Sequence, residues 1–130
     1  MDEAIRAVLE ALPRVAYGLV FGSRAQGRAG PHSDLDVAIG AGSGARLDHR
    51  AIGDLTSRLE QVTGLTVHLV LLEDAPPALA YRVFRDGRVI MERDRGARVT
   101  RQARAILEYL DFAPVERQCA RAVRDAAADG

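Results

Sequence analysis

Two aspartates, Asp34 and Asp36, occupy alternate positions at the start of the apolar run "DLDVAIG". In an extended chain, residues i and i+2 project to one face. The two carboxylates therefore stand side by side while Leu35 turns the other way. Like charges held together in low dielectric need compensation, and a divalent cation supplies it. Oxygen ligands with no nearby Cys, and one His in the motif, select Mg2+ or Mn2+ over zinc. Mg2+ keeps several waters and is completed by substrate phosphates, so few protein ligands are needed.

Ten residues upstream of Asp34 lies the pair Gly22-Ser23, which leaves a second apolar run, "VAYGLVF". Glycine lets another group approach the backbone closely. Ser23 falls where a helical turn can begin, and unpaired N–H groups there attract phosphate. One strand end then offers a phosphate cradle and its neighbour offers metal ligands, a pairing suited to a metal-bound nucleoside triphosphate. Each half alone has an ordinary structural explanation, as a turn or as a cap. The combination at this spacing, between two strong strands, is far more specific.

The remaining elements must position these groups. Ile5, Val8, Leu9 and Leu12 form a helical stripe that Pro13 ends. Strands are expected over 15–21, 34–40 and 65–72. Helix 46–62 carries Ile52, Leu55, Leu59 and Val62 on one side, and Gly64 closes it. Asp74 is expected to cap a short helix opened by Pro76 and Pro77, with Leu79, Ala80, Val83 and Phe84 facing inward. A turn at Asp86-Gly87 leads into a fourth strand. From about 97 to 110, Val99, Ala103, Ile106, Leu107 and Leu110 predict an inward-facing stripe, and a separate last helix follows Pro114 with Val115, Cys119, Ala122 and Val123. Strands separated by helices argue an α/β sheet with helices packed on it.

The 130 residues suit a single domain, and 48% hydrophobic with 28% charged residues is ordinary for a globular chain. Net charge is +0, so no whole-molecule field draws the chain to nucleic acid or membrane. All 18 basic residues are Arg. Lone Cys119 reads as a small buried apolar residue in a reducing compartment. With no run of about 18 apolar residues and no signal-like start, a cytoplasmic protein is expected.

The stretch "GSRAQGRAGPHSDLD" resembles the Gly-Ser, ten residues, Asp-x-Asp signature of the polymerase-β-like nucleotidyltransferase superfamily. Length and element order are similar to its minimal MNT-domain members. "LEDAPPALAYRVFRDGRVIMERD" and "RAILEYLDF" resemble the antitoxin members of HEPN/MNT toxin–antitoxin pairs. The resemblance implies an α/β polymerase-β-like nucleotidyltransferase fold, a small mixed sheet with helices packed against it. It implies one domain over 1–130, with the C-terminal helices of about 97–127 as a partner-binding part. It also implies transfer of AMP from Mg2+-ATP to a tyrosine of a HEPN ribonuclease toxin, in a hetero-oligomer, with no direct nucleic-acid or membrane partner. Phosphates added beside the toxin's catalytic motif would repel RNA. Carried over by position, Gly22, Ser23 and Arg24 hold the nucleotide, and Asp34 and Asp36 hold the metal and carry catalysis.

One departure stands out. Where the superfamily usually places a third acid in a pattern such as Val-Asp-Leu, this chain has Val67-His68-Leu69. His68 is a poor Mg2+ ligand, but a neutral imidazole can take a proton from a hydroxyl. Two other readings therefore stand: an antitoxin that neutralises by binding alone, and nucleotidyl transfer to another hydroxyl acceptor. Arg95, Arg98, Arg101 and Arg104 recur every three positions and predict a basic ridge, either solvated or facing an acidic partner. His32 lies in the loop as a minor phosphate-contact candidate. Tyr17, Tyr81 and Tyr109 are candidate self-modification targets, with core packing expected for Tyr17.

Overall fold

The computed structural model describes residues 1–42 and 44–129, apart from the side chains of 112–117, 119, 120, 123 and 125–129. Helix α1 (Asp2–Glu10) leads into strands β1 (Val15–Phe21) and β2 (Leu35–Ala41). Then come α2 (His49–Thr63), β3 (Val67–Leu71), a 3-10 turn (Leu72–Asp74), α3 (Pro77–Asp86), β4 (Arg88–Glu92) and α4 (Arg95–Asp129). The sheet order is β3-β2-β1-β4. β1 runs antiparallel to β2 and β4, and β2 runs parallel to β3 through the α2 crossover. The result is the expected mixed sheet, with helices on both faces.

Alternation along β2 divides the molecule. Leu35, Val37 and Ile39 face α1 and α2, where they meet Ile5, Leu9, Leu55 and Leu59. Ala38 belongs to the other core, with Tyr17, Leu19, Leu72, Ala80, Val83 and Ala105 under α3 and α4. Tyr17 needs the glycine opposite: a Cβ at Gly40 would collide with its ring. Burial pushes the Tyr17 hydroxyl up to about 12, with help from the Glu73 carboxylate. It is a core residue, not a modification target. Gly64 caps α2 with φ 70°, and the Asp48 side chain accepts from Ala51 N at 2.8 Å at the other end. Asp74 caps nothing; Pro76 stands at the N-cap of α3.

The C-terminal part differs most from expectation. One helix runs from Arg95 to Asp129 through Pro114. A proline costs its own N–H bond, but the Ala, Arg and Glu residues on both sides favour helix strongly enough to continue it. Val115, Cys119 and Val123 lie outside the described side chains. The apolar stripe also faces the other way: Val99, Ile106, Leu107 and Leu110 are exposed, and Ala105 is the buried contact. Nor is there a basic ridge. Arg101 is only 7% exposed and donates Nε and Nη2 to Leu72 O at 3.2 and 2.9 Å. Arg98 binds Glu92 and Gln102, and Arg104 pairs with Glu108. The domain surface opposite α4 offers Leu72 O and Glu92, so polar side chains satisfy acceptors there while small Ala105 packs closely. Among the described residues, no helix is long and apolar enough to cross a membrane.

Arg101→Glu would set a buried carboxylate against the Leu72 carbonyl, with no donor in place of the guanidinium. The expected loss is about 3 kcal/mol or more in denaturant melts. A change under about 0.5 kcal/mol, as at an exposed helix position, would contradict this burial.

Candidate functional site

Asp34 directly precedes β2, and Asp36 is its second residue. Both share a face with Ala38 and Gly40, the face that α3 and α4 cover farther along. The parallel ladder pairs Asp36 with His68 of β3. This register brings the imidazole to the carboxylates: His68 Nε2 lies 2.8 Å from Asp34 Oδ2. The register thus sets His68, singled out by resemblance to the family pattern, beside Asp34 and Asp36. Asp34 and His68 are about half exposed, and Asp36 is half-buried.

The electrostatics follow from this arrangement. Burial raises the Asp36 carboxyl above its usual value; the neighbouring Asp34 charge adds to that, and His68 opposes it. Ionised Asp36 therefore sits at a cost that a cation would offset. The hydrogen bond to Asp34 raises His68 above 6.5, and the Asp36 and Glu60 charges add to the effect. With its folded-state pKa raised, the pair contributes stability below the unfolded pKa and loses it as pH rises through the folded one.

The Gly-Ser turn meets the carboxylates directly. The antiparallel ladder pairs Phe21 with Asp36, so Gly22 lies against the Asp36 side chain. A Cβ on Gly22 would collide with Asp36 Oδ2, and φ here is +73°. Only glycine fits on both counts. The chain then turns, with Gln26 N donating to Gly22 O at 3.3 Å and Arg28 N to Ser23 O at 2.9 Å. Among the described residues, no protein acceptor takes the amides of Ser23, Arg24 or Ala25. These N–H groups are available to an anion.

Arg24 is engaged within the loop. Its guanidinium donates to Ser33 O at 3.0 and 2.7 Å and to Gly30 O at 3.4 Å. It ties the loop between β1 and β2 into shape and holds the carbonyl of the residue directly before Asp34. Ser33 Oγ adds a bond from Gly30 N at 2.9 Å. His32 is exposed in that loop. Tyr81 and Tyr109 stack on each other, 4.0 Å apart and nearly parallel, joining α3 to α4. The structure also brings α3 to the turn, with Arg82 and Leu79 near Gly22 and Arg28. No local signal announces this, because α3 reaches the turn only through tertiary packing.

Among the described residues, no three His, Cys, Asp or Glu side chains converge closely enough to hold a metal alone. The donor set nonetheless fits Mg2+. Two carboxylates, one of them costly to ionise, border free amides where phosphate oxygens can complete the coordination.

The Polymerase beta, Nucleotidyltransferase family model matches residues 3–96. No curated protein is similar enough in sequence to match. Among solved structures, the chain superposes on one from a toxin–antitoxin complex with AMP-PNP at TM-score 0.83 and 23% identity, covering 95% of this chain and 98% of that one. A chain of the toxin–antitoxin MntA-HepT matches at TM-score 0.76 and 21% identity, with coverages of 95% and 96%. A chain from the complex of tri-AMPylated Shewanella oneidensis HEPN toxin with MNT antitoxin matches at 0.75 and 20%, with coverages of 95% and 99%. At these identities the likeness is one of fold.

NMR titration of the imidazoles tests the electrostatics. His68 is expected to titrate above 6.5, and Asp34→Asn to bring it down towards that value. A His68 that titrates identically in both proteins would break the pair.

Proposed function

The chain belongs to the polymerase β nucleotidyltransferase family, and we propose that it is an antitoxin that transfers AMP from Mg2+-ATP to a tyrosine of a cognate HEPN ribonuclease toxin. The observation that carries this reading is the contact of Gly22 with Asp36, which makes a phosphate turn and a carboxylate pair into one site. Likeness of fold to chains from toxin–antitoxin complexes, one with AMP-PNP and one with a tri-AMPylated toxin, supports the choice of substrate and partner.

Each residue has a distinct part. The free amides after Gly22 and the Ser23 hydroxyl orient the phosphates. Asp34 and Asp36 would hold Mg2+, which supplies charge to draw the acceptor oxygen to the α-phosphorus and to steady the departing oxyanion. His68 donates Nε2–H to Asp34, leaving Nδ1 to accept the tyrosine proton. The tyrosine oxygen forms a bond to the α-phosphorus, the bond from that phosphorus to the bridging oxygen breaks, and pyrophosphate leaves with the electron pair. Only neutral imidazole accepts a proton. Transfer should therefore fall as pH drops through the raised His68 pKa.

The toxin's place on this reading is the outer face of α4, where Leu107 and Leu110 are 64% and 61% exposed beside Val99 and Ile106. Such a stripe of uncovered apolar side chains is what a helical partner buries.

Mass spectrometry of the toxin after incubation with ATP and Mg2+ tests the proposal. Wild type should add whole AMP units, Asp36→Asn should add none, and His68→Ala should slow addition on the order of 10²–10⁴-fold. A second reading, neutralisation by binding alone, is favoured by His68, where the resemblance expects an acid, engaging Asp34. An inhibited toxin with no added mass would establish that reading in place of the first.

A further inference from the structure

The sheet has two outer strands, β3 and β4. An outer strand carries a row of backbone N–H and C=O groups that its neighbour does not use. On β4 that row is broken. The pairing with β1 shifts between Gly18 and Leu19, which leaves Ile90 as an extra residue, and Arg6 Nε donates to Ile90 O at 2.7 Å. On β3 the row is regular: the strand pairs residue for residue with β2 from Val67 to Leu71. Leu35 N donates to Thr66 O at 2.9 Å, which fixes the alternation. Thr66, His68 and Val70 aim their backbone groups at β2, and Val67, Leu69 and Leu71 aim theirs outward. The Glu60 side chain accepts from Val67 N at 3.0 Å. Among the described residues, the backbone groups of Leu69 and Leu71 have no such partner. Leu69, Val70 and Leu71 are also only half-buried.

This open row belongs to the strand that carries His68. An extended segment laid along β3 would hydrogen-bond to Leu69 and Leu71, and its alternate side chains would fall on the face that His68 and Val70 share. One of those side chains meets the imidazole. The next on that face meets Val70, which packs on the core under α3 and α4. We propose that the outer edge of β3 receives the acceptor as an added strand: an extended segment of the partner protein, with its tyrosine facing His68 and an apolar residue two positions away facing Val70. The proposal rests on the adenylyl-transfer reading above and names how its acceptor is recognised. Main-chain bonds hold the segment, and the two-residue pitch of a strand selects which side chain meets the imidazole. The edge also continues the surface assigned to the toxin. Leu72 directly follows β3 and is held by Arg101 of α4, and Leu107 lies about 9 Å farther along that helix.

Hydrogen exchange read amide by amide on the wild-type chain, alone and with the cognate toxin, tests the pairing. The Leu69 and Leu71 amides should exchange fast in the free protein and about 10-fold or more slower in the complex, while those of His68 and Val70 are slow in both. Unchanged exchange at Leu69 and Leu71 would overturn the proposal. Slow exchange there in the free protein, together with the mass of a dimer, would give the edge to a second copy of this chain and overturn it as well. Two variants then test transfer. Leu69→Pro removes the outward donor and leaves the bonds to β2 in place, because that N–H is not used there. Leu69→Ala trims the same side chain and keeps the donor. With toxin below saturation, Leu69→Pro should add AMP about 10-fold or more slowly than Leu69→Ala, at equal Mg2+-ATP affinity. Equal rates in the two variants would overturn the added strand and leave adenylyl transfer standing. If the proline variant does not fold, the exchange measurement decides alone. A wild type that adds no AMP would remove the transfer reading and, with it, the acceptor's place on this edge.

Discussion

The site depends on one close approach, the Cα of Gly22 against the carboxylate of Asp36. That contact follows from the register that pairs Phe21 with Asp36. A slip of one residue would turn Asp36 toward α1 and α2 and bring Leu35 and Val37 out of their core. Two separate packings hold the register. Leu35, Val37 and Ile39 are fully buried on one face. On the other, the Tyr17 ring lies where only Gly40 can face it. The chemistry at the sheet end is thus secured by apolar packing along the sheet.

The same contact explains why the site is electrostatically unsettled. Asp36 is half-buried, beside a second carboxylate, and its carboxyl is raised. His68 relieves part of this strain through Asp34. A fold optimised for stability alone would replace Asp36 with an apolar residue like its neighbours. Retaining a half-buried Asp36 beside a second acid, next to free amides, costs stability and suits a ligand that brings a cation and phosphates together.

Much of this was legible from residue types and spacing. Alternation in "DLDVAIG" placed the carboxylates on one face; His68 was singled out only by resemblance, and the parallel pairing that brings it to them is a finding of the structure. Gly22 was readable as a point of close approach, although what approaches it was not, since that partner lies on another strand. The bonds that Arg24 makes to the loop carbonyls were not readable, because they depend on how the loop folds back on itself. Helix α4 misled. Its stripe from Val99 to Leu110 is a valid amphipathic pattern, but periodicity reports only that one face is apolar, not what that face meets. The domain offers Leu72 O and Glu92 beneath this helix, so Arg101 and Arg98 turn inward and the leucines turn out. The arginines of α3 carried no local signal, because their nearness to Gly22 comes from packing between elements far apart in sequence.

The central claim is that the turn and the carboxylate pair form one metal-dependent nucleotide site. The most direct measurement is the affinity for ATP as a function of Mg2+ concentration, in wild type and in Asp36→Asn. That substitution removes a charge at nearly constant shape and leaves Gly22 free of new contacts. Wild type should bind ATP tightly only when Mg2+ is present, and Asp36→Asn should lose that dependence. Equal Mg2+-dependent affinity in both proteins would contradict the account.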